Sequence, residues 1–163
     1  MVLANCGEIS LAEQQAQKAA AQSPTDQILN SELLATVRAL VHLHRHEPQA
    51  AIESLEETRP FDLNIVTGLG PSYYRGMAYL ELNQPRAAAA EFQRVLDHRS
   101  IMPDSTYVPL AAVELGHALR LTGNAPGAEQ AFGIAERVWK DADPGFPPLQ
   151  KFRTGHRTGR PAS

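Results

Sequence analysis

The sequence predicts an all-α fold, a right-handed solenoid of antiparallel helix pairs, on three observations. Gly76-x-Ala78-Tyr79, followed by Ala88 and Phe92, recurs as Gly116-x-Ala118-Leu119, followed by Ala128 and Phe132. In both copies the second alanine stands twelve residues and the phenylalanine sixteen residues after the glycine. That spacing suits a helix that needs a small residue where its partner crosses, and a second helix that docks with Ala and an aromatic ring. Within each copy the apolar residues fall at three- and four-residue intervals, the period of a helix with one buried face. Between the two helices of each copy stands a turn residue, Asn83 or Gly123, that tolerates the left-handed backbone ending a helix.

Taken in chain order, Ser10-Leu11-Ala12-Glu13 reads as a capping box opening a helix over 10–22, with Ala12, Ala16, Ala19 and Ala20 along it and Ser23-Pro24 at its close. This helix matches the second member of a pair. Only Met1 to Asn5 precede it where a first helix would need a dozen residues, so the chain is expected to begin inside a repeat, as a piece of something longer. A first helix over 31–45 carries Leu33, Leu34, Val37, Leu40 and Val41, and its partner over 48–58 carries Ala51, Ile52 and Leu55. The expected register of this pair slips by about one residue at its turn relative to the other copies. Thr58 to Gly70 is a polar, glycine-bearing connector.

The clearest pair follows, with Pro71 in the first turn of a helix over 71–83, where its missing N–H costs nothing, and Pro85 restarting a helix over 85–98. The last pair spans 107–121 and 125–140, with Ala128, Phe132, Ala135 and Val138 on the docking face. Forty residues separate Gly76 from Gly116, against about 34 in a standard repeat of this kind. The surplus falls in the connector from Asp97 to Tyr107, which is expected to stand out from the edge. Trp139-Lys-Asp-Ala-Asp-Pro144 ends the last pair, and 147–152 offers a short cap. Arg153 to Ser163 is too rich in glycine and proline to hold a helix and is expected to be disordered. The organisation is thus a partial repeat at 1–24, repeats at 25–60, 61–100 and 101–143, and a cap with tail at 144–163.

Composition excludes several classes. A formal net charge of −3 and pI near 6.1 lack the footprint of a general nucleic-acid binder. Arg153, Arg157 and Arg160 in the tail are the nearest thing to a basic arm. Lys18, Lys140 and Lys151 are the only lysines, a bias toward arginine and alanine that reads as a GC-rich bacterial genome. The single cysteine, Cys6, permits no intrachain disulfide and reads as a small buried residue rather than a reactive thiol. No run approaches the ~18 apolar residues of a membrane span. The first residues lack the basic and apolar regions of a signal peptide, so the chain as written is expected in the cytoplasm.

The paired pattern resembles the tetratricopeptide repeat. More narrowly, Tyr74-Arg-Gly-Met-Ala-Tyr-Leu80, Glu91-Phe-Gln-Arg-Val-Leu-Asp-His-Arg99, Leu115-Gly-His-Ala-Leu-Arg-Leu121 and Trp139-Lys-Asp-Ala-Asp-Pro144 resemble the carboxy-terminal repeat region of acidobacterial serine/threonine protein kinases. The likeness covers roughly residues 10–152. It implies a non-catalytic module that holds other proteins as the regulatory or scaffolding tail of such a kinase. The Gly-rich phosphate loop, the strand lysine, the His-Arg-Asp loop and the Asp-Phe-Gly segment that hold ATP and metal in kinases have no counterpart here. The competing expectation is the ligand- or protein-sensing repeat domain of a bacterial transcriptional regulator. A kinase domain encoded upstream in frame favours the first, a winged-helix domain the second.

In the tetratricopeptide family, partners lie on the face of the first helices, at positions six and three before the motif glycine and one, four and five after it. Residue by residue, the resemblance implies Gly70, Tyr73, Met77, Leu80 and Glu81, then Leu110, Val113, His117, Arg120 and Leu121. The groove expected to bind a peptide or protein segment therefore contains Tyr73, Met77, Leu80, Glu81, Val113, His117 and Arg120. It lacks the Lys, Asn and Arg set that clamps a terminal carboxylate, and suits a helix or an extended apolar segment, with Tyr73 and Met77 as anchoring and adaptable contacts. An apolar edge near Leu11 and Leu33 offers a route to self-association.

Other candidates weigh less. His42-x-His44-x-His46 places only His42 and His46 on one helical face, and two ligands do not make a metal site. Gly68-x-Gly70 before a helix lacks the third glycine, the Lys-Ser/Thr pair and the strand of a phosphate cradle, and reads as a connector. No nucleophile stands at a signature distance from a base, so no catalytic residue, metal or cofactor is expected.

Overall fold

The computed structural model describes residues 8–26, 29–62 and 68–158, with the side chains of Leu29, Phe61 and residues 156–158 left aside. Cys6 and the end of the tail lie outside the described residues. Among those residues every regular element is helical. Eight α-helices follow one another: α1 (Ile9–Gln22), α2 (Leu34–His44, entered through a π-turn over Leu29–Leu33), α3 (Pro48–Glu56), α4 (Gly70–Glu81), α5 (Pro85–Asp97), α6 (Tyr107–Leu121), α7 (Ala125–Val138) and α8 (Pro147–Thr158). From α1 to α7 each helix packs on the next, and α4 also touches both α2 and α6.

Three of the turns share one geometry. His46, Asn83 and Gly123 have φ of 57°, 54° and 81°, the left-handed region. Each N–H bonds back to the carbonyl three residues earlier: His46 to Leu43, Asn83 to Leu80 and Gly123 to Arg120, at 3.1, 2.9 and 3.0 Å. The following N–H reaches the carbonyl five residues earlier: Glu47 to His42, Gln84 to Tyr79 and Asn124 to Leu119, at 2.9, 2.8 and 2.9 Å. This is the Schellman closure, which satisfies carbonyls left over at a helix end. The chain then enters α3, α5 and α7, with Pro48, Pro85 and Pro126 in their first turns.

Aligned on these turns, the α2–α3 pair keeps the register of the other two. Seven residues before each left-handed residue stand Ala39, Gly76 and Gly116. Five residues after it stand Ala51, Ala88 and Ala128; nine after it stand Leu55, Phe92 and Phe132. All of the last six are buried. The expected one-residue slip is absent, and a size exchange hid the match. A Cβ on Gly76 would stand 2.5 Å from Cε1 of Phe92, and one on Gly116 would stand 2.6 Å from Cδ1 of Phe132. Where the facing residue is Leu55, the position carries Ala39 instead.

The core falls into two clusters. One gathers Val37, Ala39, Leu40, Ala51, Ile52, Leu55, Tyr74 and Ala78; the larger runs from Leu69 through Phe92, Leu115 and Phe132 to Phe152. Tyr73, Tyr79 and Tyr107 pack against both. The Tyr74 and Tyr107 hydroxyls are 2.9 Å apart, and Tyr73 lies 5.4 Å from each of their rings. Behind this seam Arg75 is wholly buried and ion-pairs with Asp62 and, at 3.2 Å, with Glu91. It also donates to the Leu55 carbonyl (3.1 Å) and to Thr58 (3.3 Å), so one guanidinium ties the end of α3 and its connector to α4 and α5.

Three further expectations are corrected. Ser10 does not cap α1, which begins at Ile9 without a side-chain cap: the Glu8 carbonyl accepts the Ala12 N–H at 2.9 Å, and Glu13 is drawn instead to Arg45 at 2.9 Å. The cap helix does not end at Phe152 but continues to Thr158. Phe152 packs on Phe132 and Trp139, with centroids 5.8 and 5.9 Å apart, and Gly155 is buried, so tertiary packing outweighs the low propensity of this segment. The 97–107 connector, expected to stand out from the edge, is exposed or half-buried throughout. It forms a 3₁₀ turn over Arg99–Ile101, and Met102 lies over Gly68 in the neighbouring connector. At the proposed edge Leu11 is exposed, but Leu33 is half-buried.

Candidate binding groove

The first helices of the pairs, α2, α4 and α6, together with α8, line two adjoining hollows. The larger, of about 730 Å³, has walls from Tyr73, Met77, Leu80 and Glu81 of α4, Leu110, Val113, Glu114 and His117 of α6, and Pro147, Pro148, Lys151 and Phe152 of α8, with His46 and Trp139 at its margins. The smaller, of about 380 Å³, continues toward α2 and is bounded by Leu40, Leu43 and His44, with Tyr73, Met77, Glu81 and Leu110 shared between the two. Helical spacing accounts for this: Tyr73, Met77 and Glu81 stand four residues apart on one face of α4, as do Leu110, Glu114 and, three residues on, His117 on α6.

Of the seven residues read from the sequence, six border the larger hollow: Tyr73, Met77, Leu80, Glu81, Val113 and His117. Val113 and His117 are themselves buried, and the His117 ring packs edge-on against Phe132 at 5.4 Å. Arg120 is a correction. Its guanidinium pairs with Glu129 of α7 at 2.8 Å and lies over the Phe132 ring, 4.5 Å from the centroid, so its long side chain serves the α6–α7 contact and does not border the hollow. Leu121 is exposed at the far end of α6, against Gln84 to Ala87.

Sequence reading missed two groups. Leu40, Leu43 and His44 occupy the positions one, four and five after Ala39, equivalent to Met77, Leu80 and Glu81, and would have been found by aligning the first pair on its turn. Glu114 and Lys151 lie outside the five family positions. Burial in the groove pushes the Glu114 carboxyl up to about 7, with Lys151 acting weakly the other way. Burial likewise raises the Tyr73 phenol, helped by Glu114, and raises the Tyr107 phenol, helped by Tyr74. Both tyrosines therefore stay neutral.

The remaining candidates resolve into structure. His42 bonds Glu47 Oε2 at 2.7 Å, whereas His46 leaves the helix in its left-handed turn and stands 3.8 Å from Glu81, so the two do not share a face. Gly68, at φ +57°, is covered by Met102, and a Cβ on Gly70 would stand 3.4 Å from the Tyr107 ring, so among the described residues the two glycines face side chains rather than an open cradle for phosphate. Among the described residues no helix is long and apolar enough to cross a membrane. Compared with family models, with curated proteins and with solved structures, the chain shows no significant match.

Proposed function

We propose that this chain is a non-catalytic protein-interaction module of tetratricopeptide type, a right-handed solenoid that holds a helical or extended segment of another protein along its first helices. The continuous groove spanning α2, α4, α6 and α8 carries the reading. Its walls are apolar and aromatic with few polar groups, the composition of a surface that gains from burying a partner's side chains. The three alternate helices α2, α4 and α6 contribute to it largely through equivalent positions, with α8 adding a wall, as expected of stacked pairs whose second helices form the back. The resemblance to the tails of bacterial serine/threonine kinases fits a scaffolding or regulatory role of this kind. Peptides selected on the folded chain by display provide the test. Met77→Glu should abolish their binding while Glu129→Ala, on α7 away from the groove, leaves it unchanged; binding insensitive to Met77→Glu would refute the groove.

A further inference from the structure

The groove is apolar except for a few charged groups, and one of them has nothing to pair with directly. Glu114 stands on the α6 face that also presents Leu110 and His117, between the α4 and α8 walls. Among the described residues no hydrogen-bond donor reaches its carboxylate, and its counter-charge is Lys151 of α8, acting at a distance. Glu114 is half-buried, which disfavours its charged form, and a cation brought beside it recovers part of the solvation lost in this largely apolar setting. Tyr73, Trp139 and Phe152 bring aromatic rings to the same hollow, a surrounding that suits the apolar stem of a long cationic side chain.

We propose that the groove recognises a protein segment that inserts a single arginine or lysine, flanked by apolar residues, against Glu114. The proposal deepens the reading of the groove as a binding face and rests on it. Lys151 then acts as an internal competitor, close enough to Glu114 to favour its charged form but without a direct bond to it. Glu81, on the opposite wall and 3.8 Å from His46, adds a second negative charge at the rim. The titratable groups facing Glu114 are Tyr73 and Glu81 from α4, His46 from the first turn, His117 from its own helix and Lys151 from α8. Only deprotonated Glu114 attracts the cation, so affinity should rise as pH increases through about 7, and binding should release a proton. Glu114→Gln isolates the contribution of Glu114 from that of every other group.

The probe is a blocked heptapeptide with a central arginine between leucine and alanine residues, compared with the same peptide carrying citrulline, the uncharged isostere. Binding to the full chain is followed by NMR shifts of Met77, Val113 and the Glu114 carboxyl. The arginine peptide should bind about tenfold tighter than the citrulline peptide, about 1.4 kcal/mol of selectivity. Glu114→Gln should reduce the two to parity without unfolding the chain, and Lys151→Met should strengthen the arginine peptide alone. Equal binding of both peptides in the groove, or selectivity surviving in Glu114→Gln, overturns the inference while leaving the groove reading intact. Shifts confined to residues outside the groove, or no binding, overturn it as well, and the first of these also counts against the groove. Free arginine amide binding as tightly as the peptide would show a small-molecule site and overturn the segment.

Discussion

Gly76 and Phe92 occupy one volume between them: the ring fills the space where a side chain on the glycine would be, with Cε1 2.5 Å from the position of a Cβ. Gly116 and Phe132 repeat the arrangement, and at the equivalent positions of the first pair Ala39 and Leu55 are both buried in one cluster. Phe92→Ala or Phe132→Ala should destabilise the chain by roughly 3–5 kcal/mol. Gly76→Ala should cost about 1–3 kcal/mol through overpacking. Combining Gly76→Ala with Phe92→Leu should recover part of that loss, because it rebuilds the pairing of the first pair. Urea titrations of the parent, Gly76→Ala, Phe92→Leu and the double variant form a double-mutant cycle, and strict additivity would show that the two positions do not share this volume.

Arg75 makes a second test of how the pairs are joined. Its partners Asp62 and Glu91 are both buried with it, and Glu91 keeps one oxygen, Oε2, unbonded among the described residues. Arg75→Met leaves the buried Asp62 carboxylate without its cation and Glu91 with only Arg59, at 3.4 Å, and should cost about 3–5 kcal/mol. Replacing Asp62 and Glu91 by Asn and Gln in the same variant should restore a large part, since neutral groups carry a smaller burial penalty. Thermal melts of the single and triple variants distinguish this from a role in packing alone, which the triple variant would not relieve.

The left-handed turns give a smaller effect of predictable sign. His46 and Asn83 adopt φ of 57° and 54° where Gly123 stands in the third turn. His46→Gly should stabilise the chain by a few tenths to about 1 kcal/mol, and Asn83→Val should destabilise it by about 1–2 kcal/mol. Chemical denaturation reads both, and the opposite order would mean that side-chain contacts of His46 dominate.

These turns also show what was legible in the sequence. The all-helical pattern and six of the seven groove residues followed from the Gly/Ala/Phe spacing and the family positions, because small and aromatic residues mark close crossings directly. The first pair was misread because Ala39 and Leu55 satisfy the same packing rule with different sizes, and a histidine held the turn position elsewhere filled by Asn or Gly. Arg120 was misplaced because a long side chain can leave its helical face to reach Glu129 and Phe132. The helix through Gly155 was invisible to propensity, since it depends on Phe152 meeting Trp139 and Phe132.

Glu114 gives stability a pH dependence. Its carboxyl is raised from 4.5 to about 7 in the folded chain. Between those values the folded chain holds a proton that the unfolded chain has released. Its favourable contribution is therefore complete below about 4.5 and is lost as pH rises through about 7. Glu114→Gln should be more stable than the parent in mild alkali by at least about 1.4 kcal/mol, the worth of one pKa unit, and should lose that advantage in acid. Parallel denaturation curves for parent and variant across this range isolate the contribution of Glu114. A constant difference would show that the carboxyl titrates normally.

Site-specific photocrosslinking tests the groove most directly. A photoreactive side chain at Leu80, on the groove wall, is compared with one at Ala90, exposed on α5 at the back. With a peptide selected on the folded chain as the partner, the account predicts an adduct from position 80 that Met77→Glu abolishes, and none from position 90. Crosslinking from position 90 alone, or an adduct at position 80 unaffected by Met77→Glu, would place binding elsewhere and contradict it.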